Sequence, residues 1–194
     1  MEQMSLSGIE RMPPRVSHNL FFALWPDADV RAQIDAAARY LKQMHVPAGR
    51  WIKPHRYHLT LHFLGEHVNL SADLVAVVSV VGDRVSAFAF DLALDIAASF
   101  ANRKIPWWLG CRELAPGLAR LREDISAGLR VSGYRIRDEV DPIAHVTILR
   151  DAGRALPATP IAPIEWAVGE LVLIDSLLGP ESSYTVLRRW PLRE

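Results

Sequence analysis

One cysteine, Cys111, is all that the 194 residues contain, so no disulfide can form within the chain. That excludes a stapled secreted scaffold and fits a reducing compartment, with Cys111 read as a small buried apolar residue. Neither sign of charge prevails, with Lys plus Arg and Asp plus Glu both at 22. A protein that coats long stretches of nucleic acid needs surplus cations for its phosphate contacts, so that class is excluded, whereas a pocket gripping one phosphate is not. The most apolar run, LVAVVSVV at 74–81, falls far short of the roughly 20 residues of a spanning helix, so no membrane is expected as a partner. Residues 1–17 hold Glu, Arg, Pro and Ser without an apolar core, and read as a flexible tail rather than a signal peptide. With no low-complexity tract or linker, a single domain over 18–194 is expected, cytoplasmic and monomeric.

Half of the residues are hydrophobic, enough for a substantial core. NLFFALWP at 19–26 reads as a buried strand stopped by Pro26. A helix over 27–44 follows, capped by Asp27 or Asp29, with Val30, Ile34, Ala37, Ala38 and Leu41 at helical spacing. Strands are expected at 57–64, 88–97, 106–112 and 143–149, and a helix from Asn69 or Ser71 to Arg84. Another helix is expected over 115–131, on whose apolar face lie Leu118, Leu121, Ile125 and Leu129. The Pro- and Ala-rich stretch 152–163 reads as a loop, and the rest as a hairpin around Gly179-Pro180. The order of elements indicates α+β.

What the sequence does repeat is small. HLTLHFLGE at 58–66 and HVTILR at 145–150 each set a histidine two positions before a threonine. With seven histidines and four threonines in the chain, random placement yields roughly 0.14 such pairs. Strict alternation turns Leu59, Leu61 and Phe63 to one side and His58, Thr60 and His62 to the other. In the second run Val146 and Ile148 turn inward, His145 and Thr147 outward. One such pair alone would be an ordinary half-exposed strand. Two pairs supply a specific chemistry: a neutral imidazole takes a proton from water, a protonated one gives a proton to a leaving oxygen, and hydroxyls donate to phosphoryl oxygens.

Those motifs resemble the two-histidine (2H) phosphoesterase superfamily, and within it the RNA 2′,3′-cyclic phosphodiesterase family, also called 2′-5′ RNA ligase. The resemblance spans about 18–192, through LFFAL at 20–24, both His-x-Thr runs, FANRKIPWWLG at 100–110 and YTVLRRWPL at 184–192. It implies a bilobal fold, two pseudo-symmetric lobes with mainly antiparallel sheets facing a central cleft and helices outside. It also implies hydrolysis of cyclic phosphates at RNA 3′ ends, or of nucleoside 2′,3′-cyclic phosphates, with no cofactor. Residue by residue, His58 matches the proton donor and His145 the proton acceptor. Thr60, Thr147 and Arg150 match the phosphate-binding positions. His62, on the face of His58 and Thr60, stands where relatives often carry Lys or Arg and is a candidate phosphate contact when protonated.

Other candidates compete with these. His55, His58, His62 and His67 are dense enough to suggest a metal, but no carboxylate or cysteine cluster completes the set and His55 and His67 fall in loops, so no metal is expected. His18 and His45 read as surface residues. Of Trp107 and Trp108, alternation buries one and leaves at most one to stack a base. One of Phe21 and Phe22 must face away from the core, with Phe22 assigned to substrate, and Arg103 is a candidate RNA contact. Competing functions are a nucleotide-binding module without turnover, and a phosphodiesterase for another small cyclic phosphate or for 2′-5′ oligonucleotides.

Overall fold

A computed structural model of the chain describes residues 16–134 and 143–194. The tail expected over 1–17 thus lies outside the described residues except for Val16 and Ser17, and Ser17 already begins a strand. The elements are β1 (Ser17–Leu24), α1 (Ala28–His45), β2 (Arg50–Trp51), a 3-10 turn (Pro54–Arg56), β3 (Leu59–Val68), α2 (Ala72–Asp83) and β4 (Phe90–Ser99). There follow β5 (Trp107–Gly110), α3 (Pro116–Val131), β6 (His145–Arg150), β7 (Thr159–Val168), β8 (Glu170–Leu177) and β9 (Tyr184–Pro191).

Each helix begins where its sequence provides a stop for the preceding chain. Asp27 accepts from the Val30 amide at 2.8 Å and Ser71 from Leu74 at 3.2 Å, which satisfies amides that lack an intrahelical partner. Pro116 occupies the first turn of α3, where its missing N–H costs nothing. The expected apolar stripes are buried, Val30, Ile34, Ala38 and Leu41 on α1 and Leu118, Leu121, Ile125 and Leu129 on α3, except that Ala37 is half-buried.

The strands follow one hydrogen-bonded path, β7-β4-β5-β6-β3-β1-β8-β9, with β2 added beside β6. All these pairings are antiparallel, so the α+β expectation holds. The path divides into two groups of four. They meet where β3 and β6 touch, in one registered pair, Leu59 with Val146. Both residues are wholly buried. The helices share one face of this sheet, in a core that includes Ile34, Val78, Leu121, Leu59 and Val146. They also cross the seam: α1, which follows β1, packs on β7, and α3, which lies between β5 and β6 in the chain, packs on β3 as well as on β4. On the opposite face Phe21, Ala23, Val172 and Ile174 form a second, small apolar cluster.

Two strands depart from the sequence reading. The stretch expected as a loop over 152–163 contains the start of β7, which pairs with β4 from Phe90–Val168 to Ala97–Thr159. Its Pro160 and Pro163 obscure it, yet β7 is the end of the path, and an edge strand tolerates residues without an N–H. The two-residue β2 is too short to leave a periodic signal. Among the described residues no helix is long and apolar enough to cross a membrane.

Closure of the helical layer depends on a close approach at Gly82 in α2. A Cβ there would overlap the Trp190 ring, whose indole N–H donates to Asp83 at 2.7 Å and whose face meets Phe22. Gly82→Ala gains helix propensity of about 1 kcal/mol, but overpacking costs ~1–3 kcal/mol. The variant should be destabilised in urea titration; a higher midpoint would mean that the indole does not sit on α2.

Candidate active site

Antiparallel pairing of Leu59 with Val146 fixes the geometry of both His-x-Thr motifs. Continued by one residue each way, that register sets His58 across from Thr147 and Thr60 across from His145. Each imidazole is oriented by the same device. The Nδ1–H of His58 donates to the Arg56 carbonyl at 2.8 Å, and that of His145 to the Ile143 carbonyl at 2.7 Å. Since a carbonyl only accepts, Nδ1 carries the proton in the neutral ring and Nε2 is left as the basic nitrogen. No described residue hydrogen-bonds either Nε2 or the hydroxyl of Thr60 or Thr147.

Aromatic walls surround both rings. Phe21 stacks on His58 at 5.0 Å between centroids and Tyr184 meets its edge at 5.3 Å, with Trp25 at 6.4 Å. Phe100 meets His145 edge-on at 4.9 Å, and Trp108 lies at 6.1 Å. Burial among these rings pushes His58 down to about 4, against the upward pull of its bond to Arg56; Arg150 and His145 add like-charge repulsion. His145 is also lowered, by burial first and then by Arg122, and its bond to Ile143 opposes the shift.

Strict alternation fails just after each motif. Between Ala23–Thr60 and Phe22–His62 the register skips Leu61; between Trp108–Thr147 and Trp107–Leu149 it skips Ile148. Each strand therefore bulges immediately after its threonine, which turns two successive side chains to one face. Leu61, Ile148 and Leu149 all go to the helical core. His62 goes the same way. It pairs with Phe22 and its Nε2 lies 2.8 Å from the Ser126 hydroxyl on α3, so it is not on the face of His58 and Thr60. Phe63, expected in the core, pairs instead with Phe21 on the cleft face and is 38% exposed. Leu64 then alternates into the core, and a second shift skips it before Gly65, whose φ is 109°.

The same alternation corrects Phe22. It is fully buried on the helical side, and Phe21 is the ring beside the cleft. Trp107 and Trp108 are both buried, rather than one of them: Trp107 donates to the Arg154 carbonyl at 2.9 Å, and Trp108 is covered by Phe100 and His145. Arg150 ends β6, exposed and close enough to lower the His58 pKa. Arg103 lies in the exposed turn after β4. The four clustered histidines separate: His55 lies in the 3-10 turn, His62 faces α3, and His67, within β3 rather than a loop, has Nε2 3.0 Å from the Leu64 carbonyl. His18 and His45 are half-buried, on Asp175 at 2.9 Å and against Trp107 at 5.6 Å. Cys111 is half-buried, and burial pushes its thiol up to about 11.

Two imidazoles and two hydroxyls on facing strands, with an arginine at the strand end, make this the candidate site of a phosphoesterase. The family described as LigT like Phosphoesterase matches residues 24–108. The RNA 2′,3′-cyclic phosphodiesterase of Escherichia coli is 33% identical over 181 residues, which cover 90% of this chain and 97% of the relative. Its counterpart in Thermus thermophilus is 31% identical over 189 residues, covering 90% of each. Crystal structures of E. coli LigT, apo and complexed with 3′-AMP, align with TM-scores of 0.76 and 0.72 at 32% identity, over 92% of this chain and 99% of that one. The chain belongs to the LigT-like phosphoesterase family.

His62 yields a prediction about stability. Burial, then Arg122 and Arg130, push it down to about 4, so the fold holds it neutral. A histidine depressed on folding contributes stability above its unfolded pKa of about 6.5, lost as pH falls toward the folded value. His62→Leu should therefore lose less Tm than wild type between pH 7.5 and 5. Equal losses would mean that the ring titrates as though in water.

Proposed function

We propose that the chain hydrolyses the 2′,3′-cyclic phosphate ends of RNA to 2′-phosphomonoesters, with two histidines as acid and base and no metal ion. The observation that supports this reading best is the matched pair of imidazoles, each with Nδ1 tied to the carbonyl two residues upstream and Nε2 without a hydrogen bond among the described residues. The RNA 2′,3′-cyclic phosphodiesterase activity of the E. coli and T. thermophilus relatives, and the 3′-AMP complex of LigT, support the same chemistry.

In this reading the cyclic phosphate lies between the two motifs. Neutral His145 takes a proton from water through Nε2 as the water oxygen bonds to phosphorus. The bond from phosphorus to O3′ breaks, and protonated His58 gives O3′ its proton. The hydroxyls of Thr60 and Thr147 donate to the non-bridging oxygens, where charge grows, and Arg150 holds them electrostatically. Ligation is the same step with an RNA 5′-hydroxyl in place of water, and gives a 2′-5′ linkage.

The lowered pKa values set the pH dependence. Near neutrality the protein alone favours both imidazoles uncharged, whereas the acid must carry a proton. The phosphate anion opposes the repulsion from Arg150 and raises the pair. Reaction from free enzyme, kcat/KM, should thus decline with rising pH through neutrality, and kcat should keep its alkaline limb to higher pH; the limbs belong to the coupled pair. Coincident limbs would show that the phosphate does not reach the imidazoles.

The direct test is product analysis on RNA ending in 2′,3′-cyclic phosphate, with EDTA present. A 2′-phosphomonoester should form at an undiminished rate. His58→Ala and His145→Ala should each lose ~10²–10⁴-fold, and Thr60→Val or Thr147→Val on the order of 10²-fold. Activity abolished by EDTA and restored by zinc or manganese would overturn the mechanism.

A further inference from the structure

A cavity of about 510 Å³ adjoins the imidazoles, between the segment 50–56 and the β8–β9 turn. Arg50, Lys53, His55, Arg56 and Arg150 line it, and none of its lining residues is acidic. In a chain of zero net charge this is a local concentration of one sign. None of Arg50, Lys53 and Arg150 is ion-paired to a carboxylate among the described residues. Arg50 is held against Arg150 by strand pairing, although like charges side by side repel. Such an arrangement is favourable when an anion lies between the two.

The cavity shares walls with the histidine site. Tyr184 lines it and meets the edge of His58 at 5.3 Å. The Arg56 guanidinium lies 4.3 Å from the Tyr184 ring centroid and donates to the Ser182 hydroxyl at 3.3 Å, which braces this wall. Arg150 borders both spaces. The other end of the cleft differs, because Phe63 occupies in β3 the place, three residues past the threonine, that Arg150 occupies in β6. The end at Arg150 is thus cationic, and the opposite end carries the Phe63 ring in place of that charge. The volume suits a nucleotide-sized group.

Building on the proposed function, we infer that this cavity binds the next phosphate of the RNA chain, the one on the 5′ side of the terminal nucleotide. With the terminal phosphate between the histidines, the strand runs past Arg150 and Tyr184 toward Arg50 and Lys53. The site distinguishes an RNA end from a mononucleotide by that second phosphate.

Binding tests this whether or not the chain turns over. Affinities are compared for a nucleoside 2′-phosphate, the same nucleotide with a 5′-phosphate, and a dinucleotide ending in that 2′-phosphate. The ligands are titrated into wild type and into the Arg50→Gln/Lys53→Gln double variant, by calorimetry at two salt concentrations. Wild type should bind both two-phosphate ligands about 10-fold more tightly than the first, with a steeper salt dependence. The double variant should lose that gain and keep the affinity for the first ligand. A gain for the dinucleotide alone would assign the cavity to the neighbouring nucleoside and overturn the phosphate reading. So would equal affinities in wild type, or a gain that survives in the double variant. Hydrolysis of the mononucleoside cyclic phosphate, measured in parallel, should be equal in both proteins. Its absence from wild type would refute the proposed function without altering the binding comparison.

Discussion

The contact of Leu59 with Val146 determines what the rest of the chain can do. It is the one registered pair between β3 and β6, and it joins two groups of four strands that also meet through the helices and through a bridge of Phe88 with Arg193. Both side chains are fully buried beneath the helical layer, so burial rather than a long hydrogen-bonded ladder holds the seam. A seam one residue wide lets the strands diverge on either side. It also leaves the residues that flank it, His58 with Thr60 and His145 with Thr147, facing one another.

From that seam the two halves follow the same local plan and then part. Each motif histidine turns its Nδ1–H back onto a carbonyl two residues before it, and each strand bulges directly after the threonine. The bulges send the next two side chains into the core, which anchors the motif from behind while its polar face stays in the cleft. The differences arise after the bulge, where β6 offers Arg150 and β3 offers Phe63. A symmetric scaffold thereby becomes a polar cleft with a direction, as an acid and a base on opposite sides of one phosphorus require.

Much of this is legible in the sequence because it depends on spacing. The apolar stripes of α1 and α3 and the His-x-Thr pairs are periodic features, and the same residues are buried or presented in the structure. Errors arise where a period breaks. A bulge inserts one residue without a composition signal, so strict alternation puts His62 on the cleft face and Phe63 in the core, each the reverse of its position. Phe22 is misassigned because adjacent aromatics differ only in phase, and phase is set by the partners of β1 on both sides. The edge strand β7 is hidden by its prolines. Phe100, Trp25 and Tyr184 beside the imidazoles are products of long-range packing, which no local window contains.

In the proposed mechanism the two imidazoles divide the two proton transfers between them, with His58 the acid and His145 the base. A nucleoside 2′-phosphodiester whose leaving group is 4-nitrophenolate departs without needing a proton. Turnover of this ester by His58→Ala and His145→Ala, relative to wild type, isolates the acid step. With His58 as the acid, His58→Ala should turn this ester over at a near wild-type rate and His145→Ala should keep a loss of ~10²-fold or more. Rescue of both variants, or of His145→Ala alone, would contradict it.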